Sequence, residues 1–72
     1  MRIVRQIDFL GRILAKGYFA EIQDNYNCSR LVVRNKSILS NSVSGLIKEE
    51  GYKFNYCYND TNGESVFIFT KR

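Results

Sequence analysis

Histidine, proline and tryptophan are absent from this sequence, and only two cysteines, Cys28 and Cys57, occur in its 72 residues. Without histidine or a Cys-x-x-Cys pair, the four or so ligands of a structural zinc site are not available, so no metal is expected. The missing histidine also removes the commonest general base. Other acid–base candidates, Asp8, Glu21, Asp24, Glu49, Glu50, Asp60 and Glu64, are scattered and form no recognisable pair, and Cys28 has no evident activating base. Glycines stand singly, which excludes a Gly-rich phosphate loop. The sequence therefore reads as non-enzymatic and without a cofactor.

Long apolar runs are missing too. No segment approaches the roughly 20 apolar residues that cross a bilayer, and charges interrupt the N-terminal "MRIVRQIDFLGR" where a signal peptide needs an apolar stretch. The expectation is a soluble, intracellular (cytoplasmic) protein with free thiols and no membrane partner. Surface binding to a membrane by the basic first helix is disfavoured, because the core requires that helix's apolar stripe.

What is present points to one small globular domain spanning residues 1–72. Hydrophobic residues make up 44% of the chain, ten of them Phe or Tyr, enough apolar surface to offset chain entropy. A chain this short buries only about 60% of the surface its unfolded form exposes, so few core contacts are dispensable. The net charge of +4 is uneven. Residues 1–36 carry seven Lys or Arg against three acids, whereas residues 37–72 carry four of each sign. An acidic partner should therefore meet the first half.

Ile3, Ile7, Leu10, Ile13 and Leu14 recur at helical spacing before Gly17, which predicts an amphipathic helix over 3–16. "YFAEIQD" and "RLVVRN", joined by the turn-rich "NYNCS", read as a β-hairpin, with Tyr18, Ala20 and Ile22 alternating against Phe19, Glu21 and Gln23. A second helix, capped by Ser37 or Ser40, carries Leu39, Val43, Leu46 and Ile47 and ends at Gly51. A second hairpin turns at Asn62-Gly63, a pair suited to a type I′ turn. That turn places Tyr58 opposite Phe67 and Tyr56 opposite Phe69, so Tyr52, Phe54, Tyr56, Tyr58, Phe67 and Phe69 form one core-directed aromatic face.

The order helix–hairpin–helix–hairpin gives two αββ units. "GRILAKGY" at 11–18 and "GLIKEEGY" at 45–52 align Gly11 with Gly45, Ile13 with Ile47, Gly17 with Gly51 and Tyr18 with Tyr52. Such an offset fits a repeated unit, and equally two helices that stop at glycine for the same physical reason. Neither unit can bury its apolar face alone. The expected architecture is α+β, a four-stranded antiparallel sheet with both helices packed on one face. A winged helix would need a further helix where residues 18–34 alternate like strands.

Two basic groups stand out. At about 100° per residue, Arg2, Arg5, Phe9, Arg12 and Lys16 fall within an arc of roughly 80°, away from the Ile3, Ile7, Leu10, Leu14 stripe. Cations of this kind bind phosphates while an aromatic stacks on a base. The structural alternative is an ordinary wet helix face with Phe9 folded back toward Ile13. On the first hairpin, Arg30 and Arg34 alternate with Leu31 and Val33, sharing an outer face with Phe19, Val32, Glu21 and Gln23, and Lys36 follows. No RNP-type motif accompanies them, and a solvated sheet face is the simpler account.

The expected function is a small regulatory module that binds nucleic acid through the basic helix face, extended by Arg30, Arg34 and Lys36. The alternative is an inhibitor or adaptor that docks on a larger protein. The richness in Asn, Ile, Lys, Tyr and Phe, which A+T-rich viral or mobile-element genes encode, suits that alternative. Expected partners are thus a nucleic acid or an acidic protein surface, and a homodimer is compatible with either.

Overall fold

The computed structural model describes residues 2–24, 28–36 and 38–71, with the side chains of the first helix described from residue 6 onward. Its elements are α1 (Arg2–Leu14), β1 (Phe19–Asp24), β2 (Ser29–Asn35), α2 (Asn41–Glu49), β3 (Lys53–Asn59) and β4 (Ser65–Lys71). This is an α+β fold of two αββ-like units, as the alternation of apolar periods predicts. The turn residues Asn25, Tyr26 and Asn27 and the alternative cap Ser37 lie outside the described residues.

Local chemistry sets the helix ends. Ser40 caps α2, its Oγ accepting a hydrogen bond from Val43 N at 3.3 Å, which satisfies one of the otherwise orphaned first-turn donors. At the other end, Gly51 takes φ +95° and Tyr52 N donates to Ile47 O at 3.2 Å. After α1, Gly17 takes φ +90°. A side chain at either glycine would enter the left-handed region, which costs an L-residue about 1–2 kcal/mol.

The four strands form one antiparallel sheet in the order β1-β2-β4-β3. Both helices lie on the same face. There Phe9 and Ile13 of α1, Val43 and Ile47 of α2, Tyr18, Tyr52, Ala20, Leu31, Val33 and Phe69 make one buried cluster. No helix among the described residues covers the opposite face, yet Val32, Val66 and Ile68 are buried on it. β2 and β4 pair Leu31 with Phe69, Val32 with Ile68 and Val33 with Phe67. The two units are thus related by a pseudo-twofold through the Val32–Ile68 pair.

Two sequence expectations change. The first concerns α1, which turns about a third of a revolution from the orientation its longest apolar stripe implies. Phe9 and Ile13 are buried at 5% and 0%, while Ile7 and Leu14 remain 64% and 49% exposed. The cause is the ring of Tyr52, on which Phe9 stacks with centroids 5.9 Å apart and planes 5° from parallel. A flat aromatic partner wins over an aliphatic ridge because it buries more area per side chain.

The second concerns the β3–β4 turn. Instead of a two-residue type I′ loop, Asp60 N donates to Glu64 O at 2.9 Å and Gly63 N to Asp60 O at 3.2 Å, with Gly63 at φ +83°. This is a three-residue loop of the type I plus G1-bulge kind. Asp60 selects it, its Oδ1 accepting from Asn62 N at 2.8 Å and Glu64 N at 3.1 Å. The register therefore moves by one, pairing Tyr58 with Val66, Cys57 with Phe67 and Tyr56 with Ile68. A bulge between Phe54 and Tyr56 moves it again, so that Phe54 meets Phe69 with rings edge to face at 5.6 Å. Phe67 and Phe69 do face the helices. Tyr56 and Tyr58, expected beside them, lie on the opposite face.

Candidate functional site

The predicted basic helix face loses its centre. Phe9 is core, so it is not the stacking residue that its spacing among cations suggests. Arg12 is exposed, but its Nε lies 3.2 Å from Asp8 Oδ2 one turn earlier. Arg12 also lines a cleft between the helices with Asp8, Phe9, Leu46, Glu49 and Glu50, so its charge has acidic neighbours within the fold. Lys16 is exposed in the turn after α1, and Lys36 is exposed just beyond β2. The side chains of Arg2 and Arg5 lie outside the described residues.

Arg30 and Arg34 are placed differently. Both project from β2, one of the two central strands, onto the sheet face without helices. The pairings lay out that face in three rows across β1, β2, β4 and β3: Phe19, Arg34, Val66, Tyr58; then Glu21, Val32, Ile68, Tyr56; then Gln23, Arg30, Thr70, Lys53. The eight sequence candidates therefore do not form one surface. Arg30 and Arg34 share a face with aromatics, while the α1 residues sit in the helix layer behind the sheet.

The face combines three physical properties. Its floor is apolar, with Val32, Val66 and Ile68 at 5%, 0% and 3% exposure. Among the described residues no helix covers this floor, and arginine stems are long enough to lie over such apolar positions. Arg34 Nη1 lies 4.0 Å from Asp60 Oδ2 in the β3–β4 loop, and Val66 is the partner of Arg34 on β4. The Nε atoms of Arg30 and Arg34 are shielded from solvent and have no hydrogen-bond partner among the described residues. The rim is aromatic. Tyr56, Tyr58 and Phe19 are 45%, 48% and 52% exposed, and the two tyrosine rings lie 6.2 Å apart with planes 24° from parallel.

Tyr56, Tyr58 and Lys53 thus join the arginines, a grouping the type I′ turn could not give for the tyrosines. The signal was present in "NDTNGE": an Asp two residues before Asn62-Gly63 can accept backbone N–H groups and favour the longer loop. Among the described residues no group of three or more His, Cys, Asp or Glu could hold a metal ion. No family model, curated protein or solved structure matches the chain in the comparisons made with each.

Proposed function

We propose that the protein is a non-catalytic nucleic-acid-binding module, and that the helix-free sheet face is its contact surface. The observation that carries this is the juxtaposition of the Arg30 and Arg34 guanidinium forks with the half-exposed rings of Tyr56, Tyr58 and Phe19 on one apolar floor. Cations neutralise phosphates and release counterions, while rings offer π-faces to bases. Glu21 opposes this at the β1 edge, and Lys53 supplements it at the β3 edge. The test is fluorescence anisotropy with labelled DNA and RNA oligonucleotides across a salt series. Affinity should fall by about 0.7–0.9 log units per log unit of salt for each phosphate engaged. Arg30→Glu with Arg34→Glu should abolish binding, and salt-insensitive affinity would sink the proposal.

A second reading, of a chain that binds protein, is favoured by Ile7 and Leu14 standing exposed on α1. The positions thirty-four residues later, Asn41 and Lys48 on α2, are polar, so the fold itself does not require an apolar residue there. Ile7, Leu10 and Leu14 have the three–four spacing with which helices pair side by side, and the occupant proposed is α1 of a second copy. Sedimentation equilibrium should show a concentration-dependent dimer that becomes monomeric on exchanging Ile7→Asn and Leu14→Lys, the residues α2 already tolerates. A monomer at all concentrations removes this reading.

A further inference from the structure

The same face carries a more specific assignment, which rests on the nucleic-acid proposal. We infer that it takes single-stranded nucleic acid, with two neighbouring bases unstacked and seated one on Tyr56 and one on Tyr58. The geometry points to a single strand for three reasons.

The first is access to π-faces. In a duplex both faces of an internal base are covered by its neighbours, so an aromatic side chain meets only edges, sugars and phosphates unless it unstacks a step. Bases in single strands, loops and ends present a free face. Tyr56 and Tyr58 each leave about half of their surface open, at 45% and 48%. Their partners across the pairing, Ile68 and Val66, are 3% and 0% exposed, so the two half-exposed rings rise from a buried apolar floor.

The second reason is spacing. The ring centroids are 6.2 Å apart, nearly double the approximately 3.4 Å step of a stacked strand. Two consecutive bases cannot keep helical stacking and also cover both rings, whereas a splayed strand can. Alternation along β3 sets this distance, since residues two apart on one face recur at about 6.7 Å.

The third is the position of charge relative to the rings. Arg34 lies two strands away in the row of Tyr58, with its Nη1 4.0 Å from Oδ2 of Asp60, two residues beyond Tyr58. Lys53 stands on the same face of β3, five residues before Tyr58. Bases on the β3 rim thus have a cation beside the start of their strand and another beside its end. In such a geometry the cations hold the backbone and the tyrosines hold the bases, with little dependence on sequence.

The experiment uses the full chain and fluorescein-labelled twelve-nucleotide oligomers: single-stranded DNA, single-stranded RNA, and the DNA and RNA duplexes of the same sequence. Single strands should bind at least tenfold more tightly than duplexes. Tyr56→Ala and Tyr58→Ala should each weaken single-strand binding by roughly ten- to a hundredfold, Tyr56→Phe and Tyr58→Phe by less than about threefold, because the π-face carries the contact. Binding should also quench tyrosine fluorescence. The DNA and RNA arms distinguish the sugar, and binding of either supports the inference. Duplexes binding as tightly as single strands, or alanine variants that keep their affinity while Arg30→Glu with Arg34→Glu loses it, would overturn the inference and leave the nucleic-acid proposal standing. Failure of every oligomer to bind would remove both. Circular dichroism melting of each variant separates lost contact from lost fold, and these rim residues are expected to melt like the wild type.

Discussion

The two αββ units share their joints and differ in their surfaces. At the joints the correspondence is close: Ile13 and Ile47 are buried at 0% and 1%, Tyr18 and Tyr52 at 7% and 5%, and Gly17 and Gly51 have φ of +90° and +95°. Away from the joints it fails. Ile7, Leu10 and Leu14 of α1 stand where α2 has Asn41, Ser44 and Lys48, and across the pseudo-twofold at Val32–Ile68 Arg30 of β2 stands where β4 has Val66. The first hairpin supplies most of the charge on the helix-free face and the second most of its rings. Positions that recur in both units are what the fold needs, and positions that diverge are free to serve contacts.

Mutation can break that equivalence or sharpen it. The largest effects belong to the core pair. Ile13→Ala and Ile47→Ala should each cost about 2–5 kcal/mol, with urea midpoints shifted alike. A much milder loss in one would show that the units do not share the core equally. Next come the joints. Gly17→Ala and Gly51→Ala should each cost about 1–2 kcal/mol. Neither should add a steric penalty, since a Cβ at Gly51 would come no nearer than 3.5 Å, to Lys71 Cδ, and one at Gly17 meets nothing within 4 Å.

The tyrosine hydroxyls should separate the units, with the smallest effect at Tyr52. Tyr18 Oη donates to Ile38 O at 3.1 Å and accepts from Ser40 N at 2.9 Å, bracing the entry to α2. Tyr52 Oη shares one bond with Ser29 Oγ at 2.8 Å. Net hydrogen-bond contributions near 1 kcal/mol each put Tyr18→Phe at about 2 kcal/mol or less and Tyr52→Phe at about 1 kcal/mol. Tyr52 should add a pH signature. Burial pushes its phenol above the ordinary value of 10.0, with Asp24 and Glu50 reinforcing the shift and the Ser29 hydrogen bond opposing it. The native state then holds this proton more tightly than the unfolded chain. Its contribution is complete below pH 10 and declines as pH rises from there through the raised value. Thermal melts at pH 8 and pH 11 should therefore fall less for Tyr52→Phe than for the wild type.

Much of this fold was legible because its determinants are local. Gly17 and Gly51 end helices by their own conformational freedom, and alternation alone assigns Ala20 and Ile22 to one face and Phe19, Glu21 and Gln23 to the other. The outward direction of Arg30 and Arg34 follows from the same parity. What was not legible depends on choices between alternatives of similar local quality. Helix α1 carries two apolar ridges, and the distant ring of Tyr52 decides which is buried. Asn62-Gly63 suits two loop lengths, and the Asp60 carboxylate decides between them. The bulge that moves Phe54 across the sheet has no separate signature in "KFNYCY". The candidate site inherited these errors: Phe9 was placed outside and the tyrosines inside.

The β3–β4 loop has a consequence for how such a surface could arise. Because side chains alternate along a strand, a change of one codon in the turn reverses which side β3 shows to each neighbour, without altering any residue in the strands. Lengthening or shortening "DTNGE" would trade Tyr56 and Tyr58 for Cys57 on the helix-free face. Loop length would then be inherited as a switch of surface chemistry, faster in effect than any accumulation of point substitutions along the strand.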